Sequence, residues 1–366
     1  MLFWIALLMS VISVWIYTEC ISKSYRYTSI TMLILLCTIS ALRYHLGNDY
    51  DTYVMDYYLY ENFELDVLLN YVRREPTETL IIYVLNSLNF DYQSLFIVYS
   101  IVTFLLVWLI LKNVLKSYQL VLIAVIVFAV DYNMMWYSYS IIRQFVAALL
   151  CLYSVKYIEA NHFMKFTLTV IFASIWHYSA IVFLLVYLIP RKKIGVKLYS
   201  LMIAVGMVGF YTNITTAILN VFLEQLPLVG DYAWYLTDWL EDESVNLSLY
   251  FYYHLILGFI FLYFLGDDKP IYVNIFCLFN VVYLLCRFCT PLLRMSIYLG
   301  IVILVLLPLM YSKLGRYKTI VFVFMIFIPM SLSCLKAIAV EDGRIGNDLS
   351  IGNIEYKTNL NHIFKG

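Results

Sequence analysis

Charge is what this sequence has least of. Lys and Arg number 24, Asp and Glu another 24, and together they make only 13% of 366 residues, with no net charge. An ordinary soluble domain carries about 25% charged residues. Here 63% of the chain is hydrophobic and the mean hydropathy is +0.84, so a soluble domain of any size is excluded and lipid is the solvent for most of the chain. A zero balance also gives no support for a nucleic-acid partner, and none is expected. The short signatures of common enzyme classes are missing too. No HExxH, Walker, GxSxG or GxGxxG pattern occurs, which removes metalloprotease, P-loop, hydrolase-elbow and dinucleotide readings. The seven cysteines all lie in or at the ends of apolar runs, against a disulfide framework. Cys286 and Cys289 have CxxC spacing but no second ligand pair, so neither a metal nor another cofactor is expected.

Apolar runs long enough to cross a bilayer recur along the chain. They lie near 2–20, 27–45, 94–112, 118–136, 141–159, 198–219, 247–266, 271–289, 293–311 and 319–338. The reading is an all-α, polytopic transmembrane helical bundle of about ten to thirteen membrane helices, some short or broken. The first run has no Lys or Arg before it and no small-residue cleavage pattern after it, so it is expected to be a retained span. The 35 Tyr and 24 Phe fit interfacial anchoring and can also stack on sugar rings. No internal repeat and no separable soluble domain is visible, so residues 1–366 are taken as one integral membrane domain.

Loop charge sets an orientation. Lys23 and Arg26, Lys112 and Lys116, Lys156 and Lys165, Arg191 to Lys197, and Lys313, Arg316 and Lys318 mark cytoplasmic connections, whereas most of the acids fall in the other loops. The N-terminus is therefore expected outside. The alternation holds only if Pro76 to Asn89 does not cross; its reach suits a tilted or half-crossing helix. Phe163 to Pro190 has basic loops at both ends and must go in and come back. Its polar interruption, Trp176-His177-Tyr178, is the natural turning point, which predicts two short helices meeting at His177 in an outward cavity. Residues 46–76 and 220–246 are expected as outward loops able to cover it, the second an interfacial stretch rich in acids, and 339–366 as a polar, loosely ordered tail.

Six arginines run against the positive-inside trend: Arg43, Arg73, Arg74, Arg143, Arg287 and Arg294, all expected on the outer face. A guanidinium forks onto two oxygens, stays charged and sheds water more readily than an ammonium, so such a set suits a pyrophosphate. Each could instead snorkel to lipid phosphate or pair with a loop acid. Asp49 is the leading acid of the segment 43–53: it can hold an arginine, bind sugar hydroxyls or act as general base. Glu75 and Glu78 flank Pro76, where helix capping is the competing role. His177, at a predicted break, can serve as base, hydrogen-bond donor or hinge. His254, inside a span, reads as a satisfied intramembrane histidine.

The segments R-Y-H-L-G-N-D-Y-D-T-Y (43–53), R-R-E-P-T-E-T-L (73–80), I-I-R-Q-F-V-A (141–147) and I-W-H-Y-S-A (175–180), in that order and spacing, resemble the EpsG-like group of Wzy-type polysaccharide polymerases. The resemblance covers about residues 40 to 300; C-R-F-C-T-P-L-L-R, which carries Arg287 and Arg294, matches the pattern only loosely. It implies a bacterial cytoplasmic-membrane glycosyltransferase, similar to metal-independent, lipid-linked glycosyltransferases of the GT-C type. Such an enzyme joins polyprenyl-pyrophosphate-linked oligosaccharide repeats on the outer face of the membrane. It implies Asp49, His177 and Arg143 as catalytic residues, and Arg43, Tyr53, Glu78, Gln144, Arg287 and Arg294 as substrate-binding residues. Arg143, Arg287 and Arg294 would steady the leaving pyrophosphate, and Asp49 or His177 would take the acceptor proton. Membrane lipid, a flippase and a chain-length regulator are the partners it implies. A flippase or transporter of the same lipid-linked repeat is the rival from another class, and a ligase or membrane acyltransferase a nearer one. The rivals have weaker marks, since no inverted repeat and no mid-membrane acid for ion coupling is evident.

Overall fold

A computed structural model describes residues 2–61, 75–212, 249–332 and 357–358, together with positions 63, 65, 67, 214, 215, 217 and 247. Arg73, Arg74, the 220–246 segment and nearly all of the 339–366 tail lie outside the described residues. The described chain is almost wholly helical, a helical membrane bundle. Among the described residues three helices have both the length and the apolarity to cross a membrane: Trp4–Ser22, Gln93–Val114 and Pro291–Lys313. Shorter apolar helices, among them Phe163–Trp176, Val196–Tyr211 and Pro270–Cys286, account for much of the rest. The ten runs read from hydropathy are thus not ten equal rods.

The largest departure falls on the run 118–136. Its helix stops at Val130 and restarts with a 68° bend, giving Tyr118–Val130 and Tyr132–Ser140. The cause is Asp131: its Oδ1 accepts a hydrogen bond from the Met134 backbone N–H at 3.0 Å, capping the second helix while its own backbone is extended. Hydropathy does not register one acid that folds its charge onto a helix end.

The chain divides into two compact units. The first comprises residues 1–154, 167–181 and 307–366. At its centre is the helix Tyr118–Val130, where every residue from Val121 to Val130 is at most 1% exposed, as expected of a helix apolar on all sides. The helices Leu2–Tyr17 and Tyr25–Ala41 pack on it, and Tyr25–Ala41 also packs on Gln93–Val114. A two-residue strand, Arg43–Tyr44, pairs antiparallel with Lys357–Thr358, so this part of the tail is ordered against the segment that follows the second helix.

The second unit comprises residues 155–166 and 182–306. Pro270–Cys286 packs on both Val196–Tyr211 and Leu249–Phe264. The three helices are riveted by a buried polar set: Asn280 Nδ2 donates to the Tyr199 hydroxyl at 3.0 Å and to the His254 carbonyl at 3.4 Å. His254 turns its Nδ1 to the Tyr250 carbonyl at 2.8 Å, a contact within its own helix. Gly258 makes room for the rivet, since a Cβ there would lie 2.3 Å from the Tyr199 hydroxyl.

Candidate functional site

The site is built on the turn that follows Tyr25–Ala41. A helix C-terminus leaves carbonyls without partners, and in an apolar environment these must be satisfied. Gln93 Nε2 donates to the Ala41 carbonyl at 2.6 Å, and Arg43 Nη1 donates to the Ser40 carbonyl at 2.6 Å. Arg43 Nη2 reaches across the sequence to the Tyr139 carbonyl at 3.4 Å, and the guanidinium lies 4.5 Å from the centre of the Phe96 ring. Four residues on, Gly47 has φ +107°, and a Cβ there would sit 2.5 Å from the same Tyr139 oxygen. The Asn48 N–H donates to Ser140 Oγ at 3.2 Å. Arg43 and Gly47 therefore clasp the end of the helix Tyr132–Ser140. One break later, at Ile141, the helix Ile142–Glu159 begins and presents Arg143.

Two acids meet that arginine. Pro76 opens the helix Pro76–Ser87 as its first residue, with Glu75 extended before it (φ −64°, ψ 138°). Glu75 has the backbone geometry of an N-cap and its carbonyl accepts from the Thr79 N–H at 3.3 Å, but its side chain makes no cap hydrogen bond. Instead Arg143 Nη1 donates to Glu75 Oε2 and, at 2.6 Å, to Glu78 Oε2. The spacing of three puts both carboxylates on one side of the first helical turn. Thr77 Oγ1 donates to the Ile175 carbonyl at 3.0 Å, which ties this helix start to the segment carrying His177.

His177 stands where the helix Phe163–Trp176 ends and a 3-10 helix, Tyr178–Leu188, begins. The two arms double back. Near their far ends Phe163 meets Tyr187, ring centres 4.8 Å apart, and Phe166 meets Phe183 at 6.2 Å. Each arm is about 21 Å long, short of a ~30 Å hydrocarbon core, so the polar interruption is a turning point. At the turn, His177 Nδ1 lies 2.5 Å from Glu75 Oε1. The Glu75 carboxylate thus spans His177 on one oxygen and Arg143 on the other.

Exposure ranks the members of this cluster. The Glu78 side chain is 0% exposed, that of Glu75 8%, that of Arg143 12% and that of His177 27%, so the imidazole is the member most open to an incoming molecule. Tyr53 is buried, with the Arg143 guanidinium 5.4 Å from its ring centre. Burial opposes charge on Glu75, but the His177 contact and the Arg143 charge outweigh it and hold the carboxyl at about 2. Burial pushes the Tyr53 hydroxyl up to about 12 despite Arg143. Tyr53 is thus a neutral hydrogen-bonding group beside a fixed ion cluster.

The other expected residues fall as follows. Asp49 precedes the helix Tyr50–Leu59, its carbonyl accepting from the Tyr53 N–H at 3.1 Å, and its carboxylate acts electrostatically on Tyr53. Gln144, next to Arg143, is buried. Arg43 is 0% exposed, which places it in the frame of the site rather than on a bound substrate. Arg287 ends the helix Pro270–Cys286 and Arg294 lies in the last turn of Thr290–Met295; both are half-buried and belong to the second unit. Three participants were not singled out for the site by sequence. Glu75 reads from sequence equally as a helix cap and as a functional acid. Tyr99, which acts electrostatically on Glu78 and Arg143, sits in an uninterrupted apolar helix, and Trp176 packs edge-on against it at 6.0 Å. Among the described residues no group of three His, Cys, Asp or Glu is placed to hold a metal ion.

A carboxylate fixed between an arginine and one nitrogen of a half-exposed imidazole leaves the other nitrogen for proton transfer. The chain matches no curated protein and no solved structure. The family model described as the EpsG family, however, matches residues 26–358, nearly its whole length. The protein, a helical membrane protein with an ion cluster at the turn of a helical hairpin, belongs to the EpsG family.

Proposed function

We propose that the protein is a glycosyltransferase that polymerises oligosaccharide repeats carried on a polyprenyl pyrophosphate, at the outer face of the bacterial cytoplasmic membrane. Family membership supports a polysaccharide polymerase role in general terms. The observation that carries the finer reading is the cluster of Arg143, Glu75, Glu78 and His177 at the break of a re-entrant pair of helices. Ionisable groups within a membrane bundle are costly and mark function.

In the proposed reaction an acceptor sugar hydroxyl attacks the anomeric carbon of the donor chain. A new glycosidic C–O bond forms, the bond from that carbon to the phosphate oxygen breaks, and the lipid pyrophosphate leaves. His177 takes the hydroxyl proton on Nε2. Arg143, whose Nη1 serves two carboxylates, maintains the charge balance around His177. Arg287 and Arg294 supply positive charge for the pyrophosphate, and Asp49, Tyr53 and Gln144 bind sugar hydroxyls. A flippase and a chain-length regulator are proposed partners.

The test is the surface glycan of cells whose only copy carries Arg143→Ala. With protein level normal, glycan limited to one repeat unit is expected; retained long chains would overturn the reading. Lipid-linked repeats labelled from each side of the membrane give the second readout, since accumulation on the cytoplasmic side would indicate transport instead.

A further inference from the structure

We infer that Glu75 is a positioning residue that fixes His177 in a single tautomer, with Nδ1 as donor and Nε2 as the open acceptor, and that Arg143 and Glu78 lock Glu75 in that task. The inference rests on the proposed role of His177 for its kinetic consequence, though not for its structural content.

An imidazole has two nitrogens, and a neutral ring carries its proton on whichever one its surroundings favour. At His177 the surroundings are asymmetric. Nδ1 lies 2.5 Å from Glu75 Oε1, and an ionised carboxylate can only accept, so this ion-pair contact favours the form with the proton on Nδ1. A carboxylate held this way orients the ring as well as choosing the tautomer.

Glu75 can do this only if it does not rotate away or become protonated. Its second oxygen accepts from Arg143 Nη1, and that same nitrogen donates to Glu78 Oε2, so two helix starts converge on one guanidinium nitrogen. Pro76 opens the helix and Glu75 stands extended at its N-cap, with the carboxylate turned to Arg143 and His177 and no cap hydrogen bond to its own helix. Tyr53 flanks Arg143, and Tyr99 with its Trp176 neighbour flanks Glu78, so these rings close the lock on its inner side. Thr77, bonded to the Ile175 carbonyl, holds the Glu75 helix and the His177 turn in register. Asp49 bears on the cluster through Tyr53. Glu78 is thereby a counter-anchor: it keeps Arg143 from swinging away with a passing anion and taking Glu75 with it.

The experiment is nitrogen NMR of the full chain in detergent, labelled at histidine, at about pH 9, where an ordinary imidazole is neutral. The chain has five His, and a His177→Gln sample identifies the signal of interest. In wild type, Nδ1 is expected to be protonated and Nε2 bare. In Glu75→Gln the amide can accept or donate, so a mixture of tautomers is expected. A proton on Nε2 in wild type, or an unchanged tautomer in Glu75→Gln, would overturn the inference. Because this readout needs no turnover, it is independent of the polymerase reading. Steady-state kinetics on lipid-linked repeats supply the second measurement. Glu75→Gln is expected to lower kcat on the order of 100-fold, the usual contribution of a general base, with KM changed by less than about threefold. A wild-type tautomer as expected, with kcat intact in Glu75→Gln, would leave the positioning true and refute the role of His177 as base; a loss confined to KM would assign Glu75 to substrate binding instead.

Discussion

Glu75 Oε1 lies 2.5 Å from His177 Nδ1 while its Oε2 accepts from Arg143, so one carboxylate couples the turn of a helical hairpin to the start of a long helix. The energetic consequence is that neither partner can be removed cheaply, because each removal strands a buried charge.

Arg143→Ala should therefore destabilise as well as inactivate. Two nearly buried carboxylates lose their counter-charge, at a cost of about 3–5 kcal/mol. Adding Glu78→Gln removes one stranded charge, so the double variant should unfold at a higher temperature than Arg143→Ala alone, while making no long polymer. Thermal unfolding in detergent checks this; a double variant less stable than Arg143→Ala would refute the pairing.

The depressed Glu75 carboxyl gives stability a definite pH dependence. Its folded value of about 2 is below the ordinary 4.5, so the unfolded chain binds the proton more readily. The contribution is complete above about pH 4.5 and is lost as pH falls towards 2. The unfolding temperature of wild type should drop over this window, and Glu75→Gln should drop less steeply. Equal slopes in the two proteins would contradict the assignment.

Gly47→Ala tests the clasp on Tyr139. The substitution puts a side chain on a backbone at φ +107° and a Cβ 2.5 Å from a carbonyl oxygen that belongs to another helix. A loss of about 1–3 kcal/mol in stability is expected. Polymer should fall with it, since the clasp sets where Arg143 begins its helix. Full stability and activity in the alanine variant would mean that the turn can move without consequence.

The rivet of the second unit makes a double-mutant cycle. Gly258→Ala drives a methyl group to within 2.3 Å of the Tyr199 hydroxyl. Tyr199→Phe removes that oxygen, at the expense of its bond from Asn280. The two changes together should cost less than their sum, by about 0.5–3 kcal/mol of coupling. Additive losses would show that the hydroxyl is not what the methyl group meets.

Much of this arrangement is legible in the sequence, and the exceptions have physical causes. The break at His177 follows from Trp-His-Tyr interrupting a run too short to cross twice, and the short helix from Pro76 follows from its proline and its length. The family resemblance rests on the same segments that build the clasp and the ion cluster. The bend at Asp131 is hidden because the acid satisfies a helix end locally and leaves the run apolar around it. Arg43 was expected on substrate because an arginine at a membrane boundary advertises a ligand. Its partner, the Tyr139 carbonyl, is 96 residues away and has no side-chain signature, so nothing in the sequence separates a guanidinium that holds a backbone from one that holds a phosphate. Glu75 and Glu78 were visible as acids but not as partners of one arginine, since that depends on two helix starts meeting.

The hairpin of Phe163–Trp176 and Tyr178–Leu188 sets an order of assembly. Its two arms lie against each other, and its tip carries an imidazole that is costly to place in lipid without its partners, so it gains little by entering lipid alone. Its partners Glu75 and Arg143 precede it in the chain and are already made when it leaves the ribosome. The hairpin is thus a late insert, admitted by a receptor that the earlier helices have assembled, and a defect in that receptor would surface as a failure of membrane integration before any loss of chemistry could be measured.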